Sequence, residues 1–153
     1  MKIWVDADAC PREVRQILIK AARRTEVPVV FVGNHNLDVP SSPLFEMRVV
    51  KPGADEADKE IARCVEEHDL VITADIPLAA IVCEKGADAL DPRGDHYTDE
   101  DVRTRLSTRD FMEDMRSAGW VSGGPKSYGD KEKRAFASVL DRILTRYQRR
   151  RDS

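Results

Sequence analysis

Asp6 and Asp8, two residues apart directly after the apolar run Ile3-Trp4-Val5, are the first side chains of this sequence whose type and spacing point to chemistry. Residues two apart on a strand share a side, so both carboxylates can leave the end of a buried strand together. Like charges that close repel each other unless a cation or strong donors hold them. Asp75 stands in a similar place after the run Asp69 to Thr73, and Asp55 and Asp58 lie three apart in the first turns of a helix, where they share a face. Several oxygen ligands without a His/Cys set beside them suit a hard divalent ion, Mg²⁺ or Mn²⁺. Such an ion makes water a better nucleophile and neutralises charge on a phosphoryl group in flight. The competing reading is that aspartates cap helices and hold turns. It applies most to Asp55, less to Asp75 and least to Asp6, because a carboxylate directly after a buried strand needs a partner.

These aspartates can meet only if the elements before them end at one edge. Ile3 to Val5 reads as a buried strand, and Pro11 suits the start of a helix along which Val14, Ile17, Leu18, Ala21 and Ala22 recur through about Arg24. Val27 to Val32 is a continuous apolar strand closed by the turn cluster Gly33-Asn34-His35-Asn36, and Phe45 to Val50 is a weaker strand. A helix carrying Ala57, Ile61 and Val65 inward, with Cys64 near that face, leads to the strand Asp69 to Thr73. Ile76-Pro77 then starts a helix that Gly86 terminates, and Ala87 to Leu90 is a short fifth strand closed by Asp91-Pro92-Arg93-Gly94. Thr98, with Asp101 three residues on, caps a helix to about Ala118, and the last helix keeps one stripe of Phe136, Val139, Leu140, Ile143, Leu144 and Tyr147. This alternation predicts an α/β, three-layer Rossmann-like fold with a mainly parallel sheet of about five strands, helices on both faces and a single domain over residues 1–153. Junctions after parallel strands share one edge, where ligands bind.

Composition narrows the classes. A chain of 153 residues that is 41% hydrophobic and 35% charged suits a soluble globular protein. No apolar run reaches the length of a membrane span, and the acidic, early-structured start is not expected to act as a signal peptide. Cys10, Cys64 and Cys83 have no zinc-finger spacing and fit free thiols in a reducing cytoplasm. A net charge of −3 gives no global attraction to nucleic acid, and the basic end around Arg146 to Arg151 reads as a solvated helix terminus. Cys10 lies at a helix start, where a thiolate would be favoured, but no base is tied to it, so a packed or capping residue is expected. His35, His68 and His96 lack ligand spacing, and His68 is read as ending an exposed helix. Arg93, Lys126 in the Gly123-Gly124-Pro125-Lys126 loop, and Asn34 at the end of the second strand are candidates for phosphate or substrate contact.

The stretches Val5-Asp6-Ala7-Asp8-Ala9-Cys10-Pro11, Val71-Ile72-Thr73-Ala74-Asp75-Ile76-Pro77-Leu78-Ala79, Asp91-Pro92-Arg93-Gly94 and Gly123-Gly124-Pro125, in that order, resemble the YaiI/YqxD family of bacterial proteins. That family is grouped with PIN-like domains, a Rossmann-like set rich in metal-dependent ribonucleases. The resemblance implies that Asp6, Asp58 or Asp55, and Asp75 correspond to the acidic ion-binding cluster of those nucleases, with Asp8 an additional carboxylate. The expected function is Mg²⁺- or Mn²⁺-dependent phosphodiester hydrolysis, with RNA as the expected partner and Asp6, Asp8 and Asp75 as catalytic residues. One alternative is a phosphatase of the haloacid-dehalogenase type, with Asp6 as nucleophile and Asp8 as acid/base. The other is a PIN-like scaffold that binds RNA or protein without catalysis.

Overall fold

Each apolar run named above forms a strand in the computed structural model, which describes residues 1–53, 55–104 and 128–152. The strands β1 (Ile3–Asp6), β2 (Val29–Gly33), β3 (Phe45–Val49), β4 (Leu70–Ile72) and β5 (Asp88–Leu90) are mutually parallel. A two-residue β6 (His96–Tyr97) adds an antiparallel edge, and the order across the sheet is β3-β2-β1-β4-β5-β6. β6 escapes a hydrophobicity reading because His96-Tyr97 has no apolar run; it is held by pairing to Ala89 and Leu90 and by a 2.9 Å contact between His96 Nε2 and Asp88 Oδ2.

The helices are α1 (Arg12–Thr25), α2 (Glu56–Cys64), α3 (Ile76–Glu84), α4 (Asp99–Thr104) and α5 (Asp130–Asp152). Side chains alternate along β1, and the alternation divides the core. Ile3 and Val5 pack with Val14 and Leu18 of α1 and with Phe136, Leu140 and Leu144 of α5. Trp4 faces the other way, among Ala57 and Ile61 of α2 and Leu78, Ala79 and Val82 of α3. The result is an α/β, three-layer, Rossmann-like arrangement.

Helix ends follow local chemistry. Thr98 and Asp101 form a reciprocal box: Thr98 N–H donates to Asp101 Oδ2 at 2.7 Å, and Asp101 N–H donates to Thr98 Oγ1 at 3.4 Å. Gly86 ends α3 at φ 87°, and Ala87 N–H reaches back to Val82 O. His68 sits beyond the end of α2, in the turn leading to β4, with φ 71°, so it does not terminate a helix. The helix expected from Thr98 to Ala118 is described only to Thr104; Leu106, Met112, Met115, Gly119 and the Gly123-Gly124-Pro125-Lys126 loop lie outside the described residues.

Asp69 occupies the opposite edge of the sheet from the aspartates singled out above and has a structural part. It is buried, and its carboxylate accepts from Lys2 N–H at 3.0 Å, Trp4 Nε1–H at 3.1 Å and Glu66 N–H at 3.0 Å. It thereby ties the starts of β1 and β4 together. Removing the acceptor strands buried donors, each costing about 1–3 kcal/mol. Asp69→Ala is therefore expected to lower the unfolding free energy by roughly 3 kcal/mol or more in urea titration. A loss below half of that would mean the three bonds carry little of the fold.

Candidate metal centre

In this strand order the chain runs outward one way from β1 through β2 to β3, and the other way from β4 through β5 to β6. The reversal falls between β1 and β4, and the crevice at the carboxyl ends of those two strands is where such sheets bind ligands. Asp6 is the last residue of β1 and Thr73 is the first after β4. Because side chains alternate, Asp6 shares the face of Trp4, directed toward the layer that carries Asp58 on α2 and Asp75 at the head of α3.

One carboxylate oxygen from each of Asp55, Asp58 and Asp75 lies within 4.8 Å of the others. Opposite ligands of a Mg²⁺ held at 2.0–2.1 Å are about 4.2 Å apart, so small rotamer changes would close the three around such an ion. Asp55 and Asp58 both belong to the group, rather than one in place of the other. Asp55 occupies the N-cap position of α2 in left-handed backbone, φ 68°, yet makes no side-chain capping bond, so its carboxylate is not spent on the helix. Asp75 does cap, with Oδ1 accepting Leu78 N–H at 2.9 Å, and a carboxylate has acceptor capacity beyond one such bond.

Asp6 lies outside that closest group but within its field. Burial, then the charges of Asp75 and Asp8, push its carboxyl from 3.8 to about 6, against a weaker lowering by Thr73. Asp58 is pushed to about 7 by burial, then by Asp75 and Asp6. The fit to a hard cation is good: the donors are all oxygens, and Asp6 and Asp58 are held above the ordinary carboxylate range.

Thr73 joins the candidate site, although its residue type alone does not single it out. Its buried hydroxyl donates to Asp6 Oδ2 at 3.5 Å and accepts Asp75 N–H at 3.0 Å, linking the ends of β1 and β4 through one atom. The available signal was a hydroxyl directly after a buried strand, two residues ahead of an aspartate.

Asp8 departs from the strand-alternation expectation. β1 stops at Asp6, and Ala7 to Ala9 form a 3-10 turn, so Asp8 is exposed and turned to the end of β2. There Oδ2 accepts Asn34 N–H at 2.7 Å, and Oδ1 occupies space that a Cβ on Gly33 would need, 2.7 Å away. Asn34 thus meets Asp8 through its backbone, while its own Oδ1 is buried with no hydrogen-bond partner among the described residues. Arg93 lies at the same rim after β5, but its guanidinium is 3.6 Å from Glu132 of α5. Gly94, φ 101°, lets that turn approach the backbone of Ala135, where a Cβ would come within 3.0 Å. Lys126 lies outside the described residues. Cys10 is a packed residue: burial pushes its thiol up to about 12, and Sγ donates to Pro11 O at 3.6 Å.

Comparison with known proteins gives a consistent kinship. Residues 4–146 match the family model described as "Uncharacterized BCR, YaiI/YqxD family". The UPF0178 protein of Hydrogenovibrio crunogenus is 52% identical over 151 residues, covering 99% of this chain and 100% of that one. The UPF0178 protein of Shewanella loihica is 50% identical over 150 residues, 98% of this chain and 100% of its own, and that of Cronobacter sakazakii is 50% identical over 145 residues, 95% and 96%. No solved structure matches the chain. Among the described residues no helix is long and apolar enough to cross a membrane.

Proposed function

The chain belongs to the YaiI/YqxD family, and from that premise together with the aspartate cluster we propose that it is a Mg²⁺- or Mn²⁺-dependent phosphodiesterase acting on RNA. The observation that carries the reading is the gathering of Asp55, Asp58 and Asp75 at the reversal of strand order, with Asp6 buried beside them. Asp58 and Asp75 would hold the ion, with Asp55 closing the open side and Asp6 the floor. When bound, the ion supplies the positive charge that acidifies an attacking water and neutralises the phosphoryl oxygens.

The chain's own residues do the rest. Thr73 fixes the orientation of Asp6 by donating to it, while the Asp75 amide N–H fixes Thr73 in turn. Asp8 is exposed and accepts Asn34 N–H, and in this reading it would take a proton from the attacking water or orient that water. Arg93 and Lys126 are the cations assigned to the scissile phosphate; Arg93 would have to exchange Glu132 for it, a modest cost at a partly exposed pair.

Purified protein should cleave single-stranded RNA with Mn²⁺ and lose that activity on chelation, in an assay over RNA, DNA and small phosphoesters. Turnover unaffected by chelator would overturn the metal assignment. RNA binding that survives chelation, with no cleavage of any substrate, would favour a non-catalytic scaffold instead.

A further inference from the structure

A second concave feature lies on the α1 side of the sheet, across it from Asp58 and Asp75, and reaches the shared rim near Asp8. Arg12, Arg15, Gln16 and Ile19 occupy successive positions on one stripe of α1, facing Leu37, Asp38 and Val39 of the segment after β2, with Phe31 as the floor. The cleft measures about 290 Å³, at the small end of ligand pockets, which run roughly 300–1,000 Å³. Its walls continue the two segments that meet at Asp8: α1 begins just after the turn that carries Asp8, and Leu37 comes shortly after Asn34, whose N–H holds Asp8. Arg12, Arg15 and Asp38 make no ion pair with any described residue, although both charge signs line one cleft. The wall beside the two guanidiniums is apolar: Ile19, Leu37 and Val39 are all half-buried.

We propose that this cleft seats one nucleotide of the substrate strand, where that strand passes over the rim at Asp8 and away from the scissile bond, and prefers guanine. The inference rests on the phosphodiesterase reading for its place in the reaction. Arg12 and Arg15 meet the phosphate that the guanidinium fork recognises. The planar base lies against Ile19, Leu37 and Val39. Asp38 accepts from the base edge, and a carboxylate there discriminates among bases. Guanine alone offers two adjacent donors, N1–H and the 2-amino group, to its two oxygens, whereas adenine and cytosine set a ring acceptor beside their single amino group. Uracil offers one N–H between two carbonyls, which the carboxylate repels.

The test is calorimetric titration of the full chain in EDTA with GMP, AMP, CMP and UMP, followed by cleavage mapping on RNA with Mn²⁺. GMP should bind about tenfold more tightly than the others, and Asp38→Ala should remove that preference while leaving weak binding of all four. Arg15→Ala should weaken all four together. These side chains face solvent in the cleft, and unchanged melting of each variant verifies the fold. Equal affinity for the four, no binding, or a GMP preference that survives Asp38→Ala would overturn the proposal. Cleavage without base preference would sink the guanine site and leave the phosphodiesterase standing. GMP selectivity in a protein that cleaves no nucleic acid would preserve the site and remove the phosphodiesterase.

Discussion

Asp58→Asn should reduce Mn²⁺-dependent RNA cleavage more than a hundredfold while making the metal-free protein more stable at pH 8. Asp58 combines two conditions that rarely coincide in a merely structural carboxylate. It stands on the inner side of α2 within reach of Asp55 and Asp75, and its carboxyl is pushed to about 7 by burial and by Asp75 and Asp6. In the absence of a cation that crowding is unfavourable, and a neutral amide of the same shape relieves it. In the presence of a cation the amide supplies a weaker ligand. Losing a partner that only orients a ligand already costs about 10–100-fold, so losing the ligand itself costs more. Mn²⁺ at a hundred times its dissociation constant stabilises a folded protein by about 2.7 kcal/mol, a rise in melting temperature that Asp58→Asn should abolish. Undiminished cleavage, or a metal-dependent melting shift equal to that of the parent protein, would remove Asp58 from the centre.

The stability of the metal-free protein should fall as pH rises from about 5 to 8. An unfolded aspartate loses its proton near 3.8, whereas folded Asp6 keeps it to about 6 and Asp58 to about 7. Between those values the folded state binds more protons than the unfolded one, so raising the pH favours unfolding. The contribution is fully present below pH 3.8 and is lost as pH passes through 6 and 7. Asp6 alone accounts for roughly 3 kcal/mol, and Asp58 acts in the same direction. Urea midpoints in EDTA at pH 5, 6, 7 and 8 measure it. Saturating Mn²⁺ should flatten the slope, and Asp6→Asn should halve it without metal. Stability that climbs over this range would mean the cluster is not under electrostatic strain.

What could be read from residue types divides along physical lines. Val29 to Gly33 and Leu70 to Ile72 were legible because a strand buried on both faces has a continuous apolar run. The stripe of α5 was legible because one apolar face recurs at helical spacing, and Phe136, Leu140, Ile143 and Leu144 are all buried. The convergence of Asp58 and Asp75 followed from parallel topology, which sends every such junction to one rim. Three things were not legible. Strand alternation sets Asp8 beside Asp6, but the strand ends two residues before Asp8, and where a strand yields to a 3-10 turn depends on tertiary pairing with β2. Asp55 reads as a helix cap from its position; only its left-handed backbone frees the carboxylate from that task. The Glu132 that α5 sets against Arg93 is a meeting of residues distant in sequence that no local pattern records.

The placement of β1 also bears on how the protein is made. β1 emerges from the ribosome before the other described strands, yet β4 must follow before Asp6 gains its Thr73 partner, and α5 before Ile3 and Val5 are sealed. Throughout that interval the nascent chain carries an open apolar flank, an obvious target for trigger-type chaperones and proteases. Translation halted short of Phe136 would leave that flank bare, so quality control, rather than loss of the aspartates, would decide the fate of a truncated product.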